Sequence, residues 1–172
     1  MRSAALAAVR EVTGRGGRVL FVGTKRQAAE IVVDASGRCG QYYVNHRWLG
    51  GMMTNLKTIM RSIKRMLELE AMESDGKMAE FVMQEQSMLR RELSRLHLRL
   101  NGIRDLSAKP DAIFIIDINR EHNALAEARR LRVPIVAISH RQSDTPIDQS
   151  EPGKLLAGDV TDARNALDCQ ST

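Results

Sequence analysis

Short apolar runs alternate with helical periodicities along most of the chain. Residues 18–22 read Arg18-Val19-Leu20-Phe21-Val22, apolar enough for a buried parallel strand. A helical composition over 3–12 precedes it, ended by the glycines of Thr13-Gly14-Arg15-Gly16-Gly17. Gly23-Thr24-Lys25-Arg26 turns the chain into a helix predicted over 27–37, with Ala28, Ala29, Ile31, Val32 and Ala35 on its inner side. Gly40 closes that unit, and Tyr42-Tyr43-Val44 is the next strand. Helix, strand, helix, strand is how a doubly wound α/β sheet begins.

The period then changes. Leu56, Ile59, Ile63, then Met66 or Leu67, recur at spacings of three and four as far as Glu70. Glu73-Ser74-Asp75-Gly76 is a turn. Val82, Leu89, Leu93, Leu96 and Leu100 follow at heptad spacing, with Gln86 interrupting the seam. Two such helices joined by a short polar turn predict an antiparallel coiled-coil hairpin over 56–100, capped at its start by Thr54 or Asn55. After Asn101-Gly102 and the turn Lys109-Pro110-Asp111, residues 112–117 form the clearest strand, apolar on both faces and therefore central. A helix over 121–131 and a strand over 134–138 complete the pattern. Beyond them come a polar loop over 140–153, a last strand at 155–157 and a last helix over 162–167. The expected organisation is an α/β domain of 1–55 and 101–172 with the hairpin inserted in it.

Charge sharpens this picture. The 172 residues carry a net +5, but residues 1–70 hold twelve basic and five acidic side chains, while the remainder is slightly acidic. From Ala35 to Leu67 there is no Asp or Glu, yet Arg38, Arg47, Lys57, Arg61, Lys64 and Arg65 all fall there. Such a window is the electrostatic footprint of a phosphate-backbone partner. Aromatic residues make up 3% of the chain, so recognition is expected to rest on charge and backbone shape rather than on stacking many bases. Outward arginines on the second hairpin helix, Arg90, Arg91, Arg95 and Arg99, are read equally well as a solvated face. No apolar run reaches membrane length. The basic, Ala-rich start resembles a transit peptide, but a strand follows so soon that an ordinary helix is the better reading. Cys39 and Cys169 have no CxxC spacing, so neither zinc nor a disulfide framework is expected, and reduced thiols are.

The candidate chemistry is sparse. Gly23-Thr24-Lys25 lies between a strand and a helix, where free N–H groups can hold a phosphate of RNA or of a nucleotide. It lacks the GxxxxGK[ST] spacing, and there is no GxGxxG. His46-Arg47 could pair a base with an anion clamp, but no nucleophile or carboxylate stands at motif spacing. Asp117 and His122 lie where a central strand ends, without a metal-ligand cluster, and Asn119 and Glu121 read as a helix cap and first-turn acid. No catalytic residue, metal site, cofactor or small-molecule substrate is assigned.

The stretch Phe21-Val22-Gly23-Thr24-Lys25-Arg26-Gln27-Ala28-Ala29-Glu30, taken with Tyr43-Val44-Asn45-His46-Arg47-Trp48-Leu49-Gly50-Gly51-Met52-Met53-Thr54-Asn55, closely resembles the small-subunit ribosomal protein S-two family of bacteria and organelles. Lys57-Thr58-Ile59, Ser62-Ile63-Lys64-Arg65, Pro110 through Asp117, Glu121-His122 and Val133 through Ile138 continue the resemblance. It implies a flavodoxin-like or Rossmann-like parallel sheet with an inserted helical hairpin. It also implies a structural place on the solvent side of the small subunit between head and body, with rRNA and neighbouring ribosomal proteins as partners and no catalysis. The expected RNA contacts are Lys25, Arg26, Asn45, His46, Arg47, Asn55, Lys57, Arg61, Lys64 and Arg65, with Trp48, Gly50 and Gly51 holding the loop in shape. The compartment stays open between an organelle, mitochondrion ahead of plastid, and a bacterial cytoplasm. The family also implies an N-terminal segment with a Gly-His-Phe-Gly-type motif that has no counterpart here. A split gene, a shortened chain or a reduced organellar form would each account for that, with part of the sheet or RNA surface supplied from elsewhere. After Ile138 the family's Asp-Thr-Asn is replaced by Ser139-His140-Arg141, where Arg141 would add an RNA contact, and Leu156-Ala157-Gly158 only loosely follows an Ile-Pro-Gly. The alternatives are a nucleotide-binding α/β enzyme using the Gly23-Thr24-Lys25 turn and a coiled-coil adaptor using the hairpin.

Overall fold

A computed structural model describes residues 11–138 and the strand at 155–158. The expected first helix is seen only in its last turn, 11–14, and its earlier part lies outside the described residues. So do the expected loop over 140–153, Arg141, Cys169 and the helix over 162–167.

Five strands form one parallel sheet: β1 (Val19–Val22), β2 (Tyr42–Val44), β3 (Ala112–Ile116), β4 (Ile135–Ile138) and β5 (Leu155–Gly158). Their order is β2-β1-β3-β4-β5. Leu20 lies opposite both Tyr42 and Ile113, and Phe114 lies opposite Val136. The sheet is the flavodoxin-like one that the resemblance implied. Every residue of β1 and β3 is buried, as strands covered on both faces must be.

Because side chains alternate along a strand, each face collects its own core. Val19, Phe21, Ala112, Phe114, Ile116 and Val136 meet Ala28, Val32 and Ala35 of α1 (Arg26–Cys39) on one face. The Phe21 and Phe114 rings pack tilted, with centroids 5.4 Å apart. Leu20, Val22, Ile113, Ile115, Ile135 and Ala137 face the other way. There they meet the helices α2 (Leu56–Ser74), α3 (Met83–Leu100) and α4 (His122–Arg130). The right-handed crossover rule places α1 and α4 on opposite faces, because β1 leads to β2 in one direction and β3 to β4 in the other. Helix α1 is longer than predicted at both ends. It stops where Gly40 enters the left-handed region at φ 60°, which lets Gln41 N–H reach the Ser36 carbonyl at 2.9 Å.

The short connection 75–82 returns α3 alongside α2, so the two form an antiparallel hairpin, cross-linked by Arg65 with Glu92, Glu73 with Arg90 and Glu70 with His97. Ile59, Ile63, Met66 and Leu69 line its inner seam from α2, and Leu93 and Leu100 from α3. The choice between Met66 and Leu67 falls to Met66, since Leu67 is exposed. The heptad starting at Val82 is a correction: Val82 is 71% exposed and only precedes α3. A 3-10 turn, Lys77–Glu80, intervenes and buries Met78 in its place. Gln86 does not interrupt a seam either. Its amide nitrogen donates to the carbonyls of Ala79 and Phe81, pinning that turn to α3.

One apolar cluster runs unbroken from the sheet through Trp48, Met52 and Met53 into the hairpin. Among the described residues no helix is long and apolar enough to cross a membrane. Of the two cysteines, Cys39 sits half-buried at the last turn of α1 and Cys169 lies outside the described residues.

Candidate nucleic-acid interface

Residues 45–55 leave β2 and enter α2 as a loop whose apolar members point inward. Trp48 is 6% exposed and Met52 and Met53 still less, so the Met pair is core and not a binding patch. The backbone of the loop is held from α4. Glu127 Oε1 accepts the Trp48 indole N–H at 3.0 Å and the Gly51 N–H at 2.7 Å. Its Oε2 accepts the N–H groups of Met53 and Thr54 and the Thr54 hydroxyl, each at 3.0 Å. Burial pushes the Glu127 carboxyl up, but the bonds from Trp48, Thr54, Met53 and Gly51 outweigh it and hold the carboxyl below the usual range.

Glu127 escaped the sequence reading, although a signal existed. It shares the inner face of α4 with Ala124 and Ala128 at helical spacing, and a carboxylate facing a core requires partners. A loop with two glycines and no acid of its own is where unsatisfied N–H groups gather.

Of the two glycines, Gly51 is the one the loop geometry demands. Its φ is +84°, and a Cβ there would sit 3.1 Å from the Asn55 Cβ. Gly50 has no atom within 4 Å of such a Cβ, so its smallness leaves open space on the outer side. Asn55 occupies the cap position of α2, but its Oδ1 accepts from the Thr58 hydroxyl at 3.0 Å instead of from a backbone N–H.

Beside this loop a crevice of about 900 Å3 opens at the carboxyl ends of β1 and β3. The strand order reverses there, which is where ligands bind in open α/β sheets. Three loops line it: the β1–α1 turn gives Thr24, Lys25 and Arg26, the loop after β2 gives Asn45 to Trp48, and the β3–α4 loop gives Arg120 to Asn123. Glu121, expected as a first-turn acid of the helix, is corrected. It stands at the cap position of α4, but its side chain is 3% exposed and turned away to accept the Thr24 N–H at 3.1 Å and the Thr24 hydroxyl. Burial next to a free donor pair explains the choice. Arg120 Nε donates to the same Thr24 oxygen at 3.2 Å. Lys25 Nζ lies 3.5 Å from Asp117, whose backbone takes a positive φ of 67°.

The expected contact residues therefore divide. Lys25, Arg26, Asn45, His46 and Arg47 converge on the crevice. Lys57 and Arg61 lie outside its lining, on the exposed first turns of α2. Arg26, Arg47, Lys57 and Arg61 have no ion-pair partner among the described residues. Lys64 stands 3.9 Å from Glu68, one turn on. Arg65 grips Glu92 with two nitrogens at 3.1 and 3.2 Å. That hydrogen-bonded pairing raises the Arg65 pKa above its ordinary value and lowers that of Glu92. The window is acid-free in sequence but not in space. Arg120 and Asn123 join the site without having been singled out for it, and His122, read as lying where a central strand ends, joins it as well.

A model of the family described as Ribosomal protein S2 matches residues 1–149. The chain belongs to the ribosomal protein S2 family. Two relatives, each named small ribosomal subunit protein uS2, show the extent of the likeness. That of Paramagnetospirillum magneticum is 51% identical over 140 residues, covering 81% of this chain and 53% of the relative. That of Rhizobium leguminosarum bv. trifolii is 51% identical over 154 residues, covering 89% of this chain and 60% of the relative. The chain spans about half the length of the curated relatives it matches. The S2-family match runs past Ile138, farther than the motifs read from the sequence.

Proposed function

We propose that this S2-family chain is a structural constituent of the small ribosomal subunit, binding small-subunit rRNA through the crevice, the loop after β2 and the first turns of α2. One observation carries the reading: Lys25, Arg26, Arg47 and Arg120, from three separate segments, converge on one concave surface beside a loop whose backbone Glu127 holds. Cations presented from separate segments on one concave surface suit a partner recognised by phosphate positions. The names of the bacterial relatives agree with it. Binding and scaffolding, not catalysis, is the task we assign. Neighbouring ribosomal proteins are the second class of partner. The exposed Phe81, Val82, Met83 and Met88 at the far end of the hairpin arm offer them apolar surface. The ribosome is assigned as bacterial in type, in a bacterial cytoplasm or an organelle.

Sedimentation of a native lysate at low magnesium, with the chain followed by immunoblot, tests this. Co-migration with the small subunit, lost only at high salt, is the expected result, and fractionation beforehand names the compartment. A chain that stays at the top of the gradient under every condition refutes it.

A further inference from the structure

The cations account for a phosphate, but the crevice is larger than a phosphate needs. At about 900 Å3 it falls in the range of pockets that enclose a whole small molecule. Its polar lining also differs in kind from a backbone-binding surface. Gln27, Asn45 and Asn123 present carboxamides there, and none has a hydrogen-bond partner among the described residues. A carboxamide offers a donor and an acceptor side by side, the arrangement that matches a base edge. The rings of His46 and His122 are exposed at the same wall and supply flat faces. Arg120 is anchored through Nε to Thr24, and its terminal nitrogens have no other partner among the described residues.

We propose that the crevice takes one unpaired nucleotide of an RNA strand, its phosphate held by Arg26, Arg47 and Arg120 and its base set among the three carboxamides. This rests on the RNA-binding reading above and deepens it: the surface reads a splayed-out nucleotide and not only the outside of a helix. Sequence-specific recognition of RNA generally works on such unstacked bases. The strand continues outward over Lys57 and Arg61, which lie beyond the crevice and have no ion-pair partner among the described residues. A free mononucleotide would satisfy the same groups without using that continuation.

Trp48, the only tryptophan, lines the crevice and serves as the probe. The full chain is titrated with a mixed-sequence single-stranded RNA of about eight nucleotides, a typical site size. The same sequence as a duplex, and the four nucleoside monophosphates, are titrated in parallel. Strand binding is expected to perturb Trp48, and Arg120→Ala and Asn123→Ala each to weaken it by about fivefold, the effect of losing one good contact. Arg130→Ala, on the exposed last turn of α4, should leave it unchanged. Monophosphates in large excess should not displace the strand. Unchanged affinity in both crevice variants, with Arg47→Ala still weakened, overturns the nucleotide pocket and leaves the RNA surface standing. Preference for the duplex overturns it as well. Saturable binding of a free monophosphate makes the crevice a nucleotide site and overturns the strand as occupant. Absence of any RNA binding by the unaltered chain overturns the pocket and the RNA-binding reading together.

Discussion

Glu127 and Trp48 are 79 positions apart in sequence, and the indole N–H of one donates to the carboxylate of the other at 3.0 Å. The same carboxylate holds the backbone on the far side of the glycine pair. The loop is thus a splint between the end of β2 and the start of α2, tied to α4. Glu127→Gln keeps one oxygen for Trp48 and Gly51 but turns an amide nitrogen toward the N–H groups of Met53 and Thr54. Two donors facing a donor should cost about 2 kcal/mol, since an unsatisfied buried group costs roughly 1–3 kcal/mol. Denaturant unfolding measures it. A midpoint equal to that of the unaltered chain would show that the loop is held by packing alone.

The same carboxylate sets a pH dependence. Burial opposes its charge, but the bonds from Trp48, Thr54, Met53 and Gly51 prevail, so its folded-state pKa lies below the ordinary 4.5. A depressed carboxylate contributes stability that is complete above the unfolded value and fades as pH falls through the folded one. Acid should therefore destabilise the chain at pH values below about 4.5. Glu92, lowered by its bond to Arg65, acts in the same direction from an exposed position. The acid limb measured by unfolding at stepped pH should be shallower in Glu127→Gln, which has no proton to take up there.

The glycine pair separates fold from function. Gly51→Ala forces an L residue to φ +84° with its Cβ against Asn55, a strain of about 2 kcal/mol. Gly50→Ala meets nothing and should shift stability by less than about 0.5 kcal/mol. If RNA approaches the loop closely, Gly50→Ala nonetheless weakens association with the small subunit, read from the salt concentration that releases the chain on a gradient. Equal stability with equal retention would place the approach elsewhere.

Gly102 makes the base of the hairpin equally exacting. A Cβ there would strike the Tyr43 carbonyl oxygen and ring, so β2 would have to move. Overpacking against backbone costs about 3 kcal/mol. For a chain of this size that lowers the melting temperature by roughly 10 °C. Thermal unfolding followed by circular dichroism checks the value.

The sheet was legible in sequence because its strands are buried on both faces, and continuous apolar runs such as Ala112 to Ile116 announce that directly. The first part of α3 was not. Val82 carries the heptad forward in the sequence, yet a 3-10 turn displaces it and fills the space with Met78, which no periodicity marks. The site was half legible. A cation run needs only composition, so Arg47, Lys57 and Arg61 stood out. Glu127 and Arg120 enter through tertiary approach from 73 to 96 positions away, and a window of local sequence contains no trace of such distances.

Spatial pairing now ranks the cations. Arg47 faces the crevice without an ion-pair partner among the described residues, whereas Arg65 is held by Glu92 across the hairpin. Each phosphate contact adds about 0.9 to the slope of log affinity against log salt on duplex and about 0.7 on single strands. Arg47→Ala should lower that slope by about one, with weaker binding at every salt concentration. Arg65→Ala should leave the slope nearly unchanged, because freeing Glu92 removes a bond inside the chain and not one to phosphate. Its cost falls on the hairpin, and being an exposed pair it is small, about 0.5 kcal/mol. Filter binding of small-subunit rRNA across a salt series compares the two. An Arg65 effect on the slope as large as that of Arg47 would mean that the Glu92 pair opens when RNA binds.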